Sequence, residues 1–144
     1  MSGDGPNKLV VHVDGGARGN PGPAGIAAVA SAADGSTVEE ASAYIGETTN
    51  NVAEYRALLL GLELARRLAA SEVEIVNDSE LVARQIGGQY KVKNAGLRPL
   101  HAQVMQELRA FDRWSVRSVP RAGNERADAL VNAALDERRG PLPK

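Results

Sequence analysis

Four acids stand where elements of the chain begin or end: Asp14, Glu54, Asp78 and Asp128. Asp14 closes the apolar run Leu9-Val10-Val11-His12-Val13, and Asp78 follows the run Glu72 to Val76. Glu54 and Asp128 fall in the first turns of helical stretches. Each has an ordinary reading by itself, since acids cap helices and are favoured in first turns. As a set on one edge, they would repel and raise one another's pKa unless a cation neutralised them. The chain has no cysteine and only two histidines, His12 and His101. Oxygen ligands therefore dominate any metal site, which suits Mg²⁺ or Mn²⁺. Two such ions ~3.5–4 Å apart activate a water and stabilise the leaving oxygen of a phosphodiester.

The elements that must position these acids are legible in outline. The first apolar run is a strand, and Gly15 to Gly25 reads as a glycine- and proline-rich loop whose amides can approach a ligand closely. Ile26 to Ala30 and Thr37 to Gly46 read as two more strands joined at the Asp34-Gly35 turn, giving an antiparallel meander. A long helix is expected over Asn51 to Ala70, capped from the polar run Thr48 to Asn51. A fourth strand over Glu72 to Val76 would then lie parallel to the first, with the helix as a right-handed crossover. This places Asp14 and Asp78 on the same C-terminal edge, where open α/β sheets bind ligands. A short helix over Ser79 to Ile86, a loop from Gly87 to Asn94 and an amphipathic helix over Leu97 to Phe111 follow. A last strand carries Trp114, Val116 and Val119, and a final helix ends near Arg138, with Asn124 as its N-cap.

At 144 residues the chain has room for one domain with a real core. No signal peptide or membrane-spanning run is present, so a cytoplasmic location is expected. The net charge of −1 conceals an asymmetry. Residues 1–90 carry 6 Lys/Arg against 12 Asp/Glu, and residues 91–126 carry 8 against 3. A basic segment on an acidic chain fits one face meeting a polyanion, or ordinary solvated helix charge.

The blocks around the acids resemble those of type 1 ribonuclease H, over about residues 8–138. They are Asp14-Gly15-Gly16 with Gly19-Asn20-Pro21-Gly22-Pro23, Thr49-Asn50-Asn51-Val52-Ala53-Glu54, Asp78-Ser79, and Asn124-Glu125-Arg126-Ala127-Asp128. The resemblance implies an α/β fold of the ribonuclease H-like kind: a five-stranded mixed sheet, its first three strands antiparallel, flanked by helices. It implies endonucleolytic cleavage of the RNA strand of an RNA–DNA hybrid. Asp14, Glu54, Asp78 and Asp128 would hold two Mg²⁺ or Mn²⁺ ions. Gly15, Gly16, Ala17, Arg18, Gly19, Asn20, Thr49, Asn50 and Asn51 would meet the hybrid in its minor groove. There the 2′-hydroxyls, which donate and accept, mark the RNA strand. Ser79, Glu80 and Asn124 complete the expected substrate contacts, and Lys91 and Lys93 would add phosphate attraction.

Three departures qualify the match. Glu80 stands where many relatives carry Gln, a short Tyr90 to Asn94 loop replaces a long basic handle, and Arg121 stands in place of a loop histidine. Arg121 is assigned a related part in product release. The short-loop pattern is similar to archaeal-type and actinobacterial members, some of them the front half of a longer bifunctional protein. Residues 1–7 are expected to be a flexible N-terminus and residues 139–144 a tail or linker to a further domain. The domain is expected to act as a monomer. The alternatives are a non-catalytic hybrid-binding module of the same fold, or a nuclease that also cuts double-stranded RNA. His12 is expected to pack in its strand, His101 to lie on a helix surface, and Trp114 and Phe111 to belong to the core.

Overall fold

Alternating apolar residues build the central strand. In β1 (Lys8–Ala17), Leu9, Val11 and Val13 are buried on one face, while Lys8, Val10, His12 and Asp14 are half-exposed on the other. The structure, a computed structural model, describes residues 7–138. Of the two expected terminal segments, all but Asn7 lies outside the described residues.

β1 pairs antiparallel with β2 (Gly22–Ala32), which pairs antiparallel with β3 (Thr37–Thr48). On its other side β1 pairs in parallel with β4 (Glu72–Asn77), and β4 with β5 (Arg113–Ser118). The sheet order is β3-β2-β1-β4-β5, the expected five-stranded mixed sheet.

The glycine-rich stretch departs from expectation. Gly15, Gly16 and Ala17 continue β1, paired with Ile26, Gly25 and Ala24 of β2. Only Arg18 to Pro21 turn the chain, closed by an Arg18 N–H to Pro23 carbonyl bond of 2.8 Å. What reads as a loop is a long hairpin, because small residues on two facing strands can pair along their full length.

α1 (Asn50–Arg67) crosses between β3 and β4 and packs on the Leu9, Val11 and Val13 face through Leu58, Leu62 and Ala65. Its close approach depends on two glycines. A Cβ at Gly61 would lie 2.7 Å from Val13 Cγ1, and one at Gly15 would overlap the Ala53 carbonyl. α2 (Glu80–Ile86) and α3 (Arg98–Leu108) lie along the same core, joined to α1 by a buried Tyr55 hydroxyl that donates to Gln85 Oε1 at 2.5 Å. His101 is half-buried here, its Nε2 3.2 Å from the Gln85 carbonyl and its ring edge-on to Tyr55, so it is not a plain surface residue. On the opposite face of the sheet, α4 (Glu125–Glu137) packs Val131 and Leu135 on Ala27.

Phe111 joins the core as expected, but Trp114 does not. It is 36% exposed, because β5 is an edge strand with little packed over it. Among the described residues, no helix is long and apolar enough to cross a membrane.

Candidate active site

β1 delivers Asp14 to the C-terminal edge of the sheet, and Asp78 follows the end of β4 one strand away. Glu54 comes from α1. The N-cap of that helix is Thr49, whose hydroxyl accepts from the Val52 amide at 3.2 Å. The helix therefore starts earlier than expected, and Glu54 sits one turn in, not in the first turn. Asp78 does not cap α2 either, since Ser79 does so by accepting from the Val82 amide at 3.3 Å. Asp128 lies in the first turn of α4, entered through a 3₁₀ turn over Arg121–Asn124.

The four acids share a cleft of about 320 Å³, with Arg121, Arg18, Asn50 and the Gly15 to Ala17 backbone on its walls. Their electrostatics reflect crowding. Burial, then the charges of Asp78 and Asp128, push Asp14 up to about 7; Asp14 also hydrogen-bonds Asp128, while Arg121 pulls the other way. Burial and the charges of Asp78 and Asp14 push Glu54 up to about 7, with a Ser79 hydrogen bond opposing. Carboxyls desolvated beside other carboxyls gain when a cation arrives. The donors are all oxygens, and this set fits a hard divalent ion. Among the described residues, no three acids or histidines already stand in ligating geometry. Asp14 and Asp128 line the same cleft from β1 and α4.

The expected substrate residues divide. Asn20 and Asn50 are brought together at the hairpin tip, where the Asn50 amide donates to Asn20 Oδ1 at 3.1 Å and Asn50 Oδ1 accepts from the Ala17 amide at 2.7 Å. Arg18 turns from this tip onto α4, pairing with Asp136 at 2.8 Å and with Asn132 Oδ1 at 3.3 Å. Glu80 points along its own helix to Arg84, at 2.7 Å, and lines a neighbouring groove. Lys91 and Lys93 are exposed outside the cleft, in a loop held by Arg98, which donates to the Val92 carbonyl at 3.1 Å.

Asn124 is buried. It is not held as an N-cap by its side chain; its Nδ2 donates to the Val13 carbonyl at 2.8 Å and ties α4 to β1. Asn132 belongs to none of the sequence blocks, although its place four residues after Asp128 puts both on one helix face. Its amide donates to the Asp128 carbonyl at 3.1 Å and lies 3.5 Å from the Asp128 carboxylate.

Residues 12–134 match a family described as reverse transcriptase-like. The crystal structure of RNase H1 from Halobacterium salinarum superposes with a TM-score of 0.88 at 43% identity, covering 90% of this chain and 98% of that one. The chain belongs to the ribonuclease H family. LC11-RNase H1, solved in complex with an RNA/DNA hybrid, is 47% identical with a TM-score of 0.85, over 90% of this ribonuclease H chain and 98% of its own. A bifunctional protein of Mycobacterium tuberculosis is 48% identical over 130 residues, 90% of this chain. This ribonuclease H chain spans 36% of the length of that mycobacterial relative and 65% of a curated Halobacterium salinarum ribonuclease HI.

Proposed function

We propose that the chain is an endoribonuclease that hydrolyses the RNA strand of RNA–DNA hybrids with Mg²⁺ or Mn²⁺. The observation that carries this reading is the gathering of Asp14, Glu54, Asp78 and Asp128 in one cleft, beside a hairpin tip rich in amides. A relative at 47% identity is solved with such a hybrid bound. The four carboxylates would hold two ions, which when bound supply a water activated for attack and charge stabilisation at the leaving oxygen.

The chain's own groups do the rest. Asp14 and Asp128, which line the same cleft, would turn to the ions together with Glu54 and Asp78, and Asp14 and Glu54 would give up the protons that burial and crowding favour on them. The hairpin backbone and the Asn20 and Asn50 amides receive 2′-hydroxyls, which only the RNA strand presents. Arg121, near enough to Asp14 to lower its proton affinity, attracts the cleaved phosphate and draws it off the acids. Arg18, engaged by Asp136, serves to brace the hairpin tip against α4 more than to contact phosphate.

The test is incubation of a hybrid labelled in either strand with Mg²⁺ or Mn²⁺. Metal-dependent loss of the RNA strand alone is expected. Binding without cleavage would replace the enzyme with a hybrid-binding module.

A further inference from the structure

Beneath the acids, on the α1 side of the sheet, lies a second and much smaller space. It is a cavity of about 10 Å³ among Val13, Glu54, Leu58, Asn77, Asp78 and Val82. Asn77 is 5% exposed. Its Oδ1 accepts from the Ser79 amide at 2.6 Å, which decides the orientation of the side-chain amide. Its Nδ2 is therefore the group left over, and that atom is buried with no hydrogen-bond partner among the described residues. β4 alternates, and Val73, Ile75 and Asn77 point to the α1 face, which is the face this cavity occupies.

We infer that this cavity binds a single ordered water, and that Asn77 is a positioning residue acting through it on Glu54 and Asp78. The size is about that of one water, roughly 10–15 Å³. The chemistry is right for one as well. A buried water needs two to four polar partners, and this pocket is lined by Asn77, whose Nδ2 lacks one, and by the acids Asp14, Glu54 and Asp78. The amide presents hydrogens, so the occupant must accept; a metal ion cannot. Water accepts from Asn77 Nδ2 and donates to the inner oxygens of the acids, leaving their outer oxygens for the cleft. The same residue braces its strand end, because its carbonyl accepts from the Val119 amide at 2.8 Å.

The kinetic consequence rests on the nuclease reading; the water itself does not, and the two are tested apart. A crystal structure fine enough to show ordered solvent is expected to show one water within hydrogen-bonding distance of Asn77 Nδ2 and of a Glu54 or Asp78 oxygen. A dry cavity, or Nδ2 bonded directly to protein, overturns the inference even if the chain is an active nuclease. The Asn77→Asp variant keeps an acceptor for the Ser79 amide and, assayed at about pH 9 where a buried carboxyl ionises, removes the donor. Its added charge favours cation binding, so any loss cannot be laid to weaker metal attraction. We expect kcat on the hybrid to fall about tenfold with KM unchanged, within the range for outer-shell partners of metal ligands. Wild-type kcat in Asn77→Asp would reduce Asn77 to a turn residue.

Discussion

The carboxylate of Asp14, on β1, stands in one cleft with that of Asp128, on α4, and the charge of Asp128 helps to raise the Asp14 pKa although the two elements meet only through the fold. Protons held on Asp14 and Glu54 relieve in the cation-free chain the repulsion that a metal would relieve in the loaded one. Asp14 and Glu54 both have pKa values raised to about 7, first by burial and then by their acidic neighbours. Groups raised in this way stabilise the fold fully below the ordinary carboxylate range, and that stabilisation is lost as pH rises through about 7. The cation-free protein should therefore melt lower at about pH 8 than at about pH 5, with Mn²⁺ restoring stability at the higher pH only. Its Mn²⁺ affinity should fall about tenfold per pH unit below 7 for each proton displaced. Calorimetric titration across this range checks both. An affinity flat in pH would contradict the raised pKa values of Asp14 and Glu54.

Removing one acid tests the set differently. Asp78→Asn should leave the fold intact, because it relieves repulsion on Asp14 and Glu54. It should cut hybrid cleavage by at least ~10²–10³-fold, the scale of losing one preorganised electrostatic group. Circular dichroism and turnover on the same preparation check it. Wild-type turnover would remove Asp78 from the metal site.

Asn124→Ala should act on stability. It leaves the buried Val13 carbonyl without its side-chain partner, a loss of about 1–3 kcal/mol. Urea unfolding measures it. A raised KM for hybrid at unchanged stability would instead restore the substrate-contact reading.

Gly15→Ala should be more severe than its size suggests. The added methyl overlaps the Ala53 carbonyl on α1, and backbone cannot step aside as a flexible side chain can. We expect a loss of about 1–3 kcal/mol or more, together with weaker metal binding as Asp14 and Glu54 are pushed apart. Unchanged melting would show that α1 moves freely against β1.

Much of this arrangement can be read from local pattern. Alternation in Leu9, Val11 and Val13 marks the central strand, and the propensity of the stretch after Thr49 marks the crossover helix, so local pattern alone puts Asp14 and Asp78 on one edge. What escapes is what depends on distant partners. Gly15 to Ala17 look like loop because glycine carries no strand signal, yet they pair with Ala24 to Ile26. Asn124 looks like a cap or a contact because its real partner, Val13, lies 111 residues away. Trp114 looks like core because an aromatic in a strand usually is, and only the sheet order makes β5 an edge. Asn132 and Asn77 carry no motif, and only burial and bonding mark them out.

The measurement that bears most directly on the central claim is cleavage of a strand-labelled RNA–DNA hybrid, beside double-stranded RNA and double-stranded DNA, with and without Mg²⁺ or Mn²⁺. The four-acid cleft predicts metal-dependent scission confined to the RNA strand of the hybrid. Hybrid retained intact in the presence of both metals, or scission that persists in a chelator, would contradict it.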